Sequence, residues 1–321
     1  MNVLSSSGAS IGESAPIVTV VMPVYNAAAY LADAIESILE QTFTLFELII
    51  VDDGSEDGSQ RIAEQFEAAD KRIRLIVQER NSGNYPSRNH GMAGARGEFI
   101  AVMDSDDIAL PDRLERQVQF LQEHPGYTMV GSRVLLIDPE GAPIGPKGGL
   151  FTEHEDIDAA LMERKWAVVH PTILMRRTAV EAVGGYREKF RTCADHDIYI
   201  RLAELGRVAN LQEVLLCYRQ HYTSLTRLKS DQQHNLRLIQ REARERRELS
   251  LLDDGPLPPI QEPETLNRRQ KMRLRCIWAE MALREGYVGS AIKNIGLSFA
   301  LDPIGALYTS LRLVRRRTMG R

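Results

Sequence analysis

Residues 101–114 read AVMDSDDIALPDRL. An apolar run ends in Asp104, Asp106 and Asp107, three carboxylates within four positions. Like charges this close repel one another, so the cluster costs folding energy unless something offsets it. One offset is a divalent cation, because carboxylate oxygens are the hard donors that Mg2+ and Mn2+ prefer. The plain alternative is an acid-rich turn ahead of the helix begun by PDRLERQVQFLQ, where acids suit the positive end of the helix. The stretch alone favours neither, and the flanking segments decide.

From Ile17 onward, short apolar β-branched runs alternate with helical patterns. IVTVVMPVY, FELIIVDDGS, IRLIVQE and EFIAVMDSDD read as buried strands. AAAYLADAIESILEQ has apolar residues recurring every fourth position, EDGSQRIAEQFEAAD reads as a second helix, and SRNHGMAGARG as a short one broken by Gly91, Gly94 and Gly97. This alternation predicts a parallel α/β sheet with helices on both faces. Ligands of such sheets bind beyond the carboxyl ends of the strands. Three strand ends here carry distinctive polar groups: Tyr25–Asn26, Asp52–Asp53 and the acid cluster. Their convergence in one crevice tilts the reading of the cluster towards a ligand site.

Further along, YTMVGSRVLLI, VVHPTILMR and LLCYRQH read as strands and PEGAPIGPKGG as a loop. CADHDIYIRLAELG reads as a helix ending at Gly206, with Asp195 and Asp197 near its start. They are either an N-terminal acid pair or a general base at the mouth of the crevice. His170, ahead of Pro171, reads as a core histidine, and Tyr30 and Trp278 as packing residues. Gly184 and Gly185 serve a tight turn.

Composition excludes several classes. With 43% hydrophobic and 26% charged residues the chain is an ordinary globular protein, and a net charge of −4 gives no bulk attraction to nucleic acid. Cys193, Cys217 and Cys276 are odd in number and lack metal-site spacing, which predicts reduced thiols and a cytoplasmic protein. No apolar run is long enough to span a bilayer. Residues 1–16 lack the basic start and apolar centre of a signal peptide and read as a floppy tail. After residue 225 the chain changes to a charged helix, a Pro-rich linker near 253–263, a helical hairpin and a basic terminal stretch, so residues 226–321 are expected to form a C-terminal helical region. In Ile304–Arg321, Leu307, Leu311 and Val314 share a face among five arginines. That pattern suits either packing on the hairpin or an anionic membrane surface, the latter placing the protein peripherally on the inner face of the membrane.

In order, VTVVMPVYN, QTFTLFELIIVDDGSEDGS, RNSGNYPSRNHGMAGARGEFIAVMDSDD, HPTILMRR, GGYRE, ADHDIYIRLAELG and YRQH resemble a family 2 glycosyltransferase with a GT-A fold. The resemblance spans residues 17–225 and implies a Rossmann-like sheet with flanking helices. It implies an inverting enzyme that moves a sugar from a nucleotide diphosphate sugar to a saccharide or lipid-linked saccharide in cell-surface polysaccharide biosynthesis. By the same resemblance Pro23 and Tyr25 line the base pocket, Asp53 accepts from a uracil-type base, Arg88 faces the diphosphate and Asp104 holds the ribose. Asp106 coordinates Mn2+ or Mg2+, Asp107 supports the turn and Asp195 is the catalytic base. Asp197 and Arg201 brace the base's helix, while Arg219 and His221 reach the phosphates or the metal.

The chain departs from the family's pattern at Ala194, where many relatives have Glu, so a supporting acid is missing. The Gln-x-x-Arg-Trp motif and membrane helices of processive synthases are also absent from the sequence, which points to transfer of one sugar at a time. Two other readings stay open. A sugar nucleotidyltransferase also joins an α/β sheet to Asp-bound metal, but carries a Gly-rich basic loop where this chain has PVYNAAAYL. A non-catalytic nucleotide-sugar scaffold would tolerate Ala194.

Overall fold

The fold is organised by β1 (Val18–Val24), whose side chains alternate between two hydrophobic cores. Val18, Val20, Met22 and Val24 enter one core, while Val21 enters the other. The period of two is that of a strand covered on both faces, and it explains the unbroken apolar run in the sequence. The computed structural model describes residues 15–149, 151–222, 229–252, 254–255, 266–307 and 309.

β2 (Phe46–Asp52), β3 (Ile73–Val77) and β4 (Phe99–Val102) join β1 in a parallel sheet of order β3-β2-β1-β4. α1 (Leu31–Leu39) and α2 (Ser59–Ala69) supply Leu31, Ile35, Ile38 and Ala63 to the first core, whereas Met92 of α3 (Asn84–Ala93) enters the second. Each large aliphatic side chain buried this way contributes about 2 kcal/mol.

The four strands from which a parallel sheet was expected are parallel, and beyond β4 the sheet becomes mixed. β8 (Leu174–Arg176) runs antiparallel between β4 and β6 (Tyr127–Ile137), and β9 (Arg207–Arg219) lies parallel to β6. β5 (Ile108–Ala109) closes the far edge, antiparallel to β9. The chain therefore leaves β4 in mid-sheet and next pairs beside the carboxyl end of β9. Asp104, Asp106 and Asp107 occupy that crossing, and β5 is followed by α4 (Arg113–Glu123). α4 is preceded by Asp112, which makes no side-chain cap bond, so the cluster is not the cap of this helix.

Two other local readings change. Pro143–Lys147, read as loop, forms edge strand β7 against β6, where its prolines cost no ladder bond. Within VVHPTILMR, His170–Thr172 is a 3-10 turn and only Leu174–Arg176 is strand, because Pro171 cannot donate in mid-sheet.

α5 (His154–Met162), α6 (Arg177–Val183), α7 (Ala194–Leu205) and α8 (Lys229–Arg246) cover the second core. α8 stops short of the Leu252 expected from its sequence pattern. α9 (Arg268–Arg284) and α10 (Val288–Leu301) form the expected hairpin, with Gly286 at the joint at φ 86°. The boundary expected at residue 225 lies outside the described residues, as do residues 1–14 and most of the basic terminal stretch. The helices after it share the cores of the sheet: Ile239 and Ala243 of α8 join the second and Trp278 of α9 the first. Arg275 adds a clamp, with 2.6 Å bonds to both carboxylate oxygens of Glu140, while Asn294 and Lys293 bind the fully buried Asp138 at 2.8 and 2.5 Å.

Gly97 sets the start of β4. A Cβ there would lie 2.6 Å from Thr19 N, 2.7 Å from Val18 C and 2.9 Å from Ile17 O, all rigid backbone. Gly97→Ala is expected to destabilise the fold by about 2 kcal/mol, read as a lowered urea midpoint with an unchanged slope.

Candidate active site

The floor of the cleft is made where β1 and β2 end. Asn26, at φ 50°, accepts from Glu56 N through Oδ1 at 2.8 Å, and its own N–H donates to Ser55 Oγ at 3.0 Å. Ala27 N and Ala28 N donate to Ser59 and Asp57, both at 2.9 Å. These bonds zip the two post-strand loops together. Tyr25 stands on this floor with 49% of its surface exposed, whereas Pro23 is buried in β1.

Asp53 is buried and already employed. Its Oδ1 accepts from Ser82 N at 2.8 Å, Ser82 Oγ at 2.9 Å and Gln78 Nε2 at 3.2 Å, and its Oδ2 accepts from Gly83 N at 2.9 Å. It thus pins the 78–83 loop to the cleft, a task the sequence reading missed. Oδ2, with one donor, keeps a lone pair for a ligand.

At the end of β4 the acids diverge. Asp104 pairs with Arg88, whose side chain is fully buried. Nε and Nη1 of Arg88 have no hydrogen-bond partner among the described residues. Burial pushes the Asp104 carboxyl up, against the pull of Arg88. Asp107 accepts from Arg219 N at 2.7 Å through Oδ1, and its buried Oδ2 has no partner among the described residues. Burial, then the charges of Asp106 and Asp104, hold its pKa well above the carboxylate range. Asp106 Oδ2 lies 2.8 Å from His221 Nε2. Pairing of β5 with β9 creates that contact, because it carries residue 221 back to the acid turn.

Arg219, expected near the phosphates or metal, sits against the acid turn and braces it. It donates to Asp106 O at 2.7 Å and Pro139 O at 3.2 Å, and its guanidinium stacks 4.5 Å over Tyr30. Tyr30 is thus a packing residue, as expected, of this brace.

A metal would suit this turn. One ligand atom from each of Asp104, Asp106 and Asp107 lies within 4.8 Å of the others. The orphaned Oδ2 of Asp107 and the adjacent His221 complete a donor set of hard oxygens and one imidazole.

α7 brings the second half of the site. Cys193, at φ 64°, precedes the helix, so the first turn presents Asp195 to the cleft. Tyr85 donates to Asp195 Oδ1 at 3.2 Å. Burial raises the Asp195 pKa, and the bonds from its helix N–H groups and Tyr85 oppose that rise. Asp197 is fully buried and binds Arg187 and Arg201; Arg201 Nε lies 2.9 Å away, and Arg201 also donates to Val183 O and Gly185 O at 2.6 and 2.8 Å. Asp197 and Arg201 therefore brace α7. His170 is a packed histidine between Tyr199, at 2.6 Å, and Tyr186, at 3.3 Å, and burial holds its pKa well below the usual value. Gly184 and Gly185, at φ 75° and 68°, make the expected tight turn.

α3 joins the halves. Tyr85 and Arg88 sit one turn apart on it, one reaching Asp195 and the other Asp104. Tyr85, Tyr186 and Tyr199 went unnoticed in the sequence, where isolated tyrosines carry no spacing signal.

Comparison with known proteins matches this arrangement to a family. Glycosyl transferase family 2 matches residues 19–184. The chain belongs to that family. Among its relatives, EpsE of Bacillus subtilis, a provisionally named glycosyltransferase, is 39% identical over 211 residues, covering 64% of this chain and 74% of its own. The provisionally named teichuronic acid biosynthesis glycosyltransferase TuaG of the same organism is 38% identical over 130 residues, 40% of this chain and 51% of its own. The fold is shared with the mannosyltransferase PcManGT of Pyrobaculum calidifontis, solved with GDP-Man and Mn2+, at TM-score 0.56 and 18% identity over 94% of this chain and 81% of that one. S. aureus TarS, solved with UDP-GlcNAc, matches at TM-score 0.58 and 17% identity over 88% and 81%. Both likenesses bear out the GT-A expectation.

In this family 2 enzyme, Ala194 is fully buried in the second core. Packing fills the place of the missing acid, and the side-chain partner of Asp195 is the Tyr85 hydroxyl. Asp106→Asn is expected to abolish Mn2+ binding to the protein, measured as free Mn2+ by electron paramagnetic resonance, while the thermal melt stays cooperative.

Proposed function

We propose that this protein is an inverting, metal-dependent glycosyltransferase that moves one sugar from a nucleotide diphosphate sugar, UDP-linked by preference, to a hydroxyl of a saccharide or lipid-linked saccharide. One observation carries the reading. On α3, Tyr85 and Arg88 link a raised-pKa carboxylate, Asp195, to an acid cluster where Arg88 Nε and Nη1 and Asp107 Oδ2 have no hydrogen-bond partner among the described residues. The name of TuaG, a relative in teichuronic acid biosynthesis, supports a cell-surface polysaccharide as product.

In this reading the Tyr25 ring covers the nucleobase, Pro23 backs it, and Asp53 accepts a base N–H through Oδ2. Asp104 holds the ribose. The two unpartnered nitrogens of Arg88 give charge-assisted hydrogen bonds to the diphosphate, which offset the cost of burying that cation. Asp106, with Asp107 and His221, would hold Mn2+ or Mg2+, which neutralises charge on a leaving diphosphate. Asp195 takes the proton of the acceptor hydroxyl as the oxygen attacks the anomeric carbon from the face opposite the diphosphate. Its raised pKa makes it a stronger base than an exposed Asp, and such catalysis is worth about 10²–10⁴-fold.

TarS and PcManGT were solved with a UDP-sugar and a GDP-sugar respectively, so the fold itself does not choose the base. The preference for uracil rests on Asp53, which offers an acceptor to the single N–H of that ring. Calorimetry in the presence of Mn2+ should show UDP binding more tightly than GDP, and tighter GDP binding would overturn the assignment.

A base must be deprotonated to act, so kcat should fall as pH drops through the raised pKa of Asp195. Tyr85→Phe removes a donor that favours the ionised form, which should move this acidic limb to higher pH. Asp195→Asn should lower kcat by about 10²–10⁴-fold with donor affinity nearly unchanged. Unchanged turnover would remove Asp195 from the role of base. Absence of turnover in the parent chain with any nucleotide sugar would favour a binding scaffold.

A further inference from the structure

The hairpin α9–α10 packs on the sheet through Arg275, Trp278 and Asn294, and encloses a small core of Met272, Cys276 and Ala306 with Phe299 and Leu301 against it. On α10, Val288 and Ile292 lie one turn apart on one face and are 54% and 66% exposed, with half-buried Ile295 next along it, while Phe299 packs on Met272, Cys276 and Ala306. Scattered apolar residues are normal on a surface, but two large ones exposed side by side on one helix face make an apolar patch. The only charged side chain of α10, Lys293, turns to Asp138 at 2.5 Å and does not interrupt the patch. Past the helix, Ile304 and Leu307 are also exposed, at 83% and 54%.

The neighbouring faces are basic. Arg269, Arg273, Ile277 and Arg284 follow one another along the exposed side of α9, where Arg284 pairs with Glu280 at 2.5 Å and Arg273 stands towards the N-terminal end. Arg269, Arg273, Asp302 and Ile304 meet around an open pocket, with Arg269 Nε 3.4 Å from Asp302 Oδ2. Residues 266–321 carry twelve Lys and Arg against three Asp and Glu, a net charge of +9 in a chain whose total is −4. The first 265 residues are therefore strongly acidic, and the chain has a basic end and an acidic body.

We propose that the outward face of α9–α10 seats on an anionic lipid surface. The apolar patch of α10 enters the boundary between headgroups and acyl chains, and the arginines of α9 meet the phosphates beside it. The acidic body, repelled by the same surface, turns away and fixes the orientation. A second copy of the chain is a poorer occupant, because a symmetric contact would set like charge against like. The site differs from the one expected at Leu307, Leu311 and Val314: it is centred on Val288 and Ile292, and residues 310–321 contribute charge alone to the argument. It does not rest on the donor reading.

The test is co-sedimentation of the full chain with phosphatidylcholine vesicles, with and without phosphatidylglycerol, at low and high salt. Binding is expected only with phosphatidylglycerol, and should weaken as salt rises. Each arginine near the surface is worth about fivefold in affinity, so Arg269→Glu combined with Arg273→Glu should lower binding by more than tenfold. Ile292→Asp should lower it as well, with thermal melts confirming that each variant folds. Failure of the parent chain to bind anionic vesicles at low salt would overturn the proposal. So would equal binding by the charge-reversed variant, or a dimer in sedimentation velocity that Ile292→Asp dissociates in the absence of lipid.

Discussion

A buried ion pair at the end of β4 is the constraint on which the site depends. Arg88 is wholly enclosed, and an enclosed guanidinium costs several kcal/mol unless it is paired. Asp104 pairs with it, and Asp104 in turn lies among carboxylates whose charges raise its own cost and that of Asp107. Arg113, fully buried beneath the turn, gives its bonds to Val102 O at 2.7 Å and Gln117 Oε1 at 3.2 Å, and burial pushes its pKa down to about 10. Two cations and three acids thus share a small volume, in which two nitrogens of Arg88 and one oxygen of Asp107 have no partner among the described residues. A fold that needed only stability would fill such a place with apolar side chains. Polar groups left unpaired on the buried side of a cleft are what a charged ligand completes.

The same pair connects the chemistry to the architecture. α3 holds Arg88 towards the strand ends and Tyr85 towards α7, so displacement of this helix moves both halves of the site together. α7 is fixed independently, through Asp197 with Arg187 and Arg201. Tyr85, Tyr186, Tyr199 and His170 pack around Asp195, and with Ala194 buried the Tyr85 hydroxyl is its side-chain donor among the described residues. Donors of this kind can hold a carboxylate in place while burial keeps it basic.

Charge is divided along the chain as sharply as structure is. The acid-lined cleft and the basic hairpin share one hydrophobic core through Trp278, and the Arg275–Glu140 clamp ties them at the β6–β7 turn. An orientation imposed on the hairpin is therefore passed rigidly to the cleft, since packed cores do not deform continuously.

Much was determined locally, and so was legible in sequence. Runs such as VTVVMPV and FELIIVD are strands buried on both faces, with alternate residues such as Val18, Val20 and Met22 or Phe46, Leu48 and Ile50 in one core, and their apolar character shows in one dimension. The post-strand acids, the Gly184–Gly185 turn, the helix from Ala194 and the hairpin joint at Gly286 follow from neighbouring residues alone. The ordered motifs carried the family. What only the tertiary structure decided involves partners distant in sequence. Reversal of the sheet beyond β4 and the carriage of His221 to Asp106 by β5–β9 pairing depend on ladder bonds between segments tens of residues apart, and the strand made from Pro143–Lys147 depends on its hairpin pairing with β6. The employment of Asp53 by the 78–83 loop and the choice of Tyr85 as partner of Asp195 are likewise set by packing. Local propensity specifies an element and its buried face, but a hydrogen bond across 110 positions exists only once the cores on both sides of the sheet have closed.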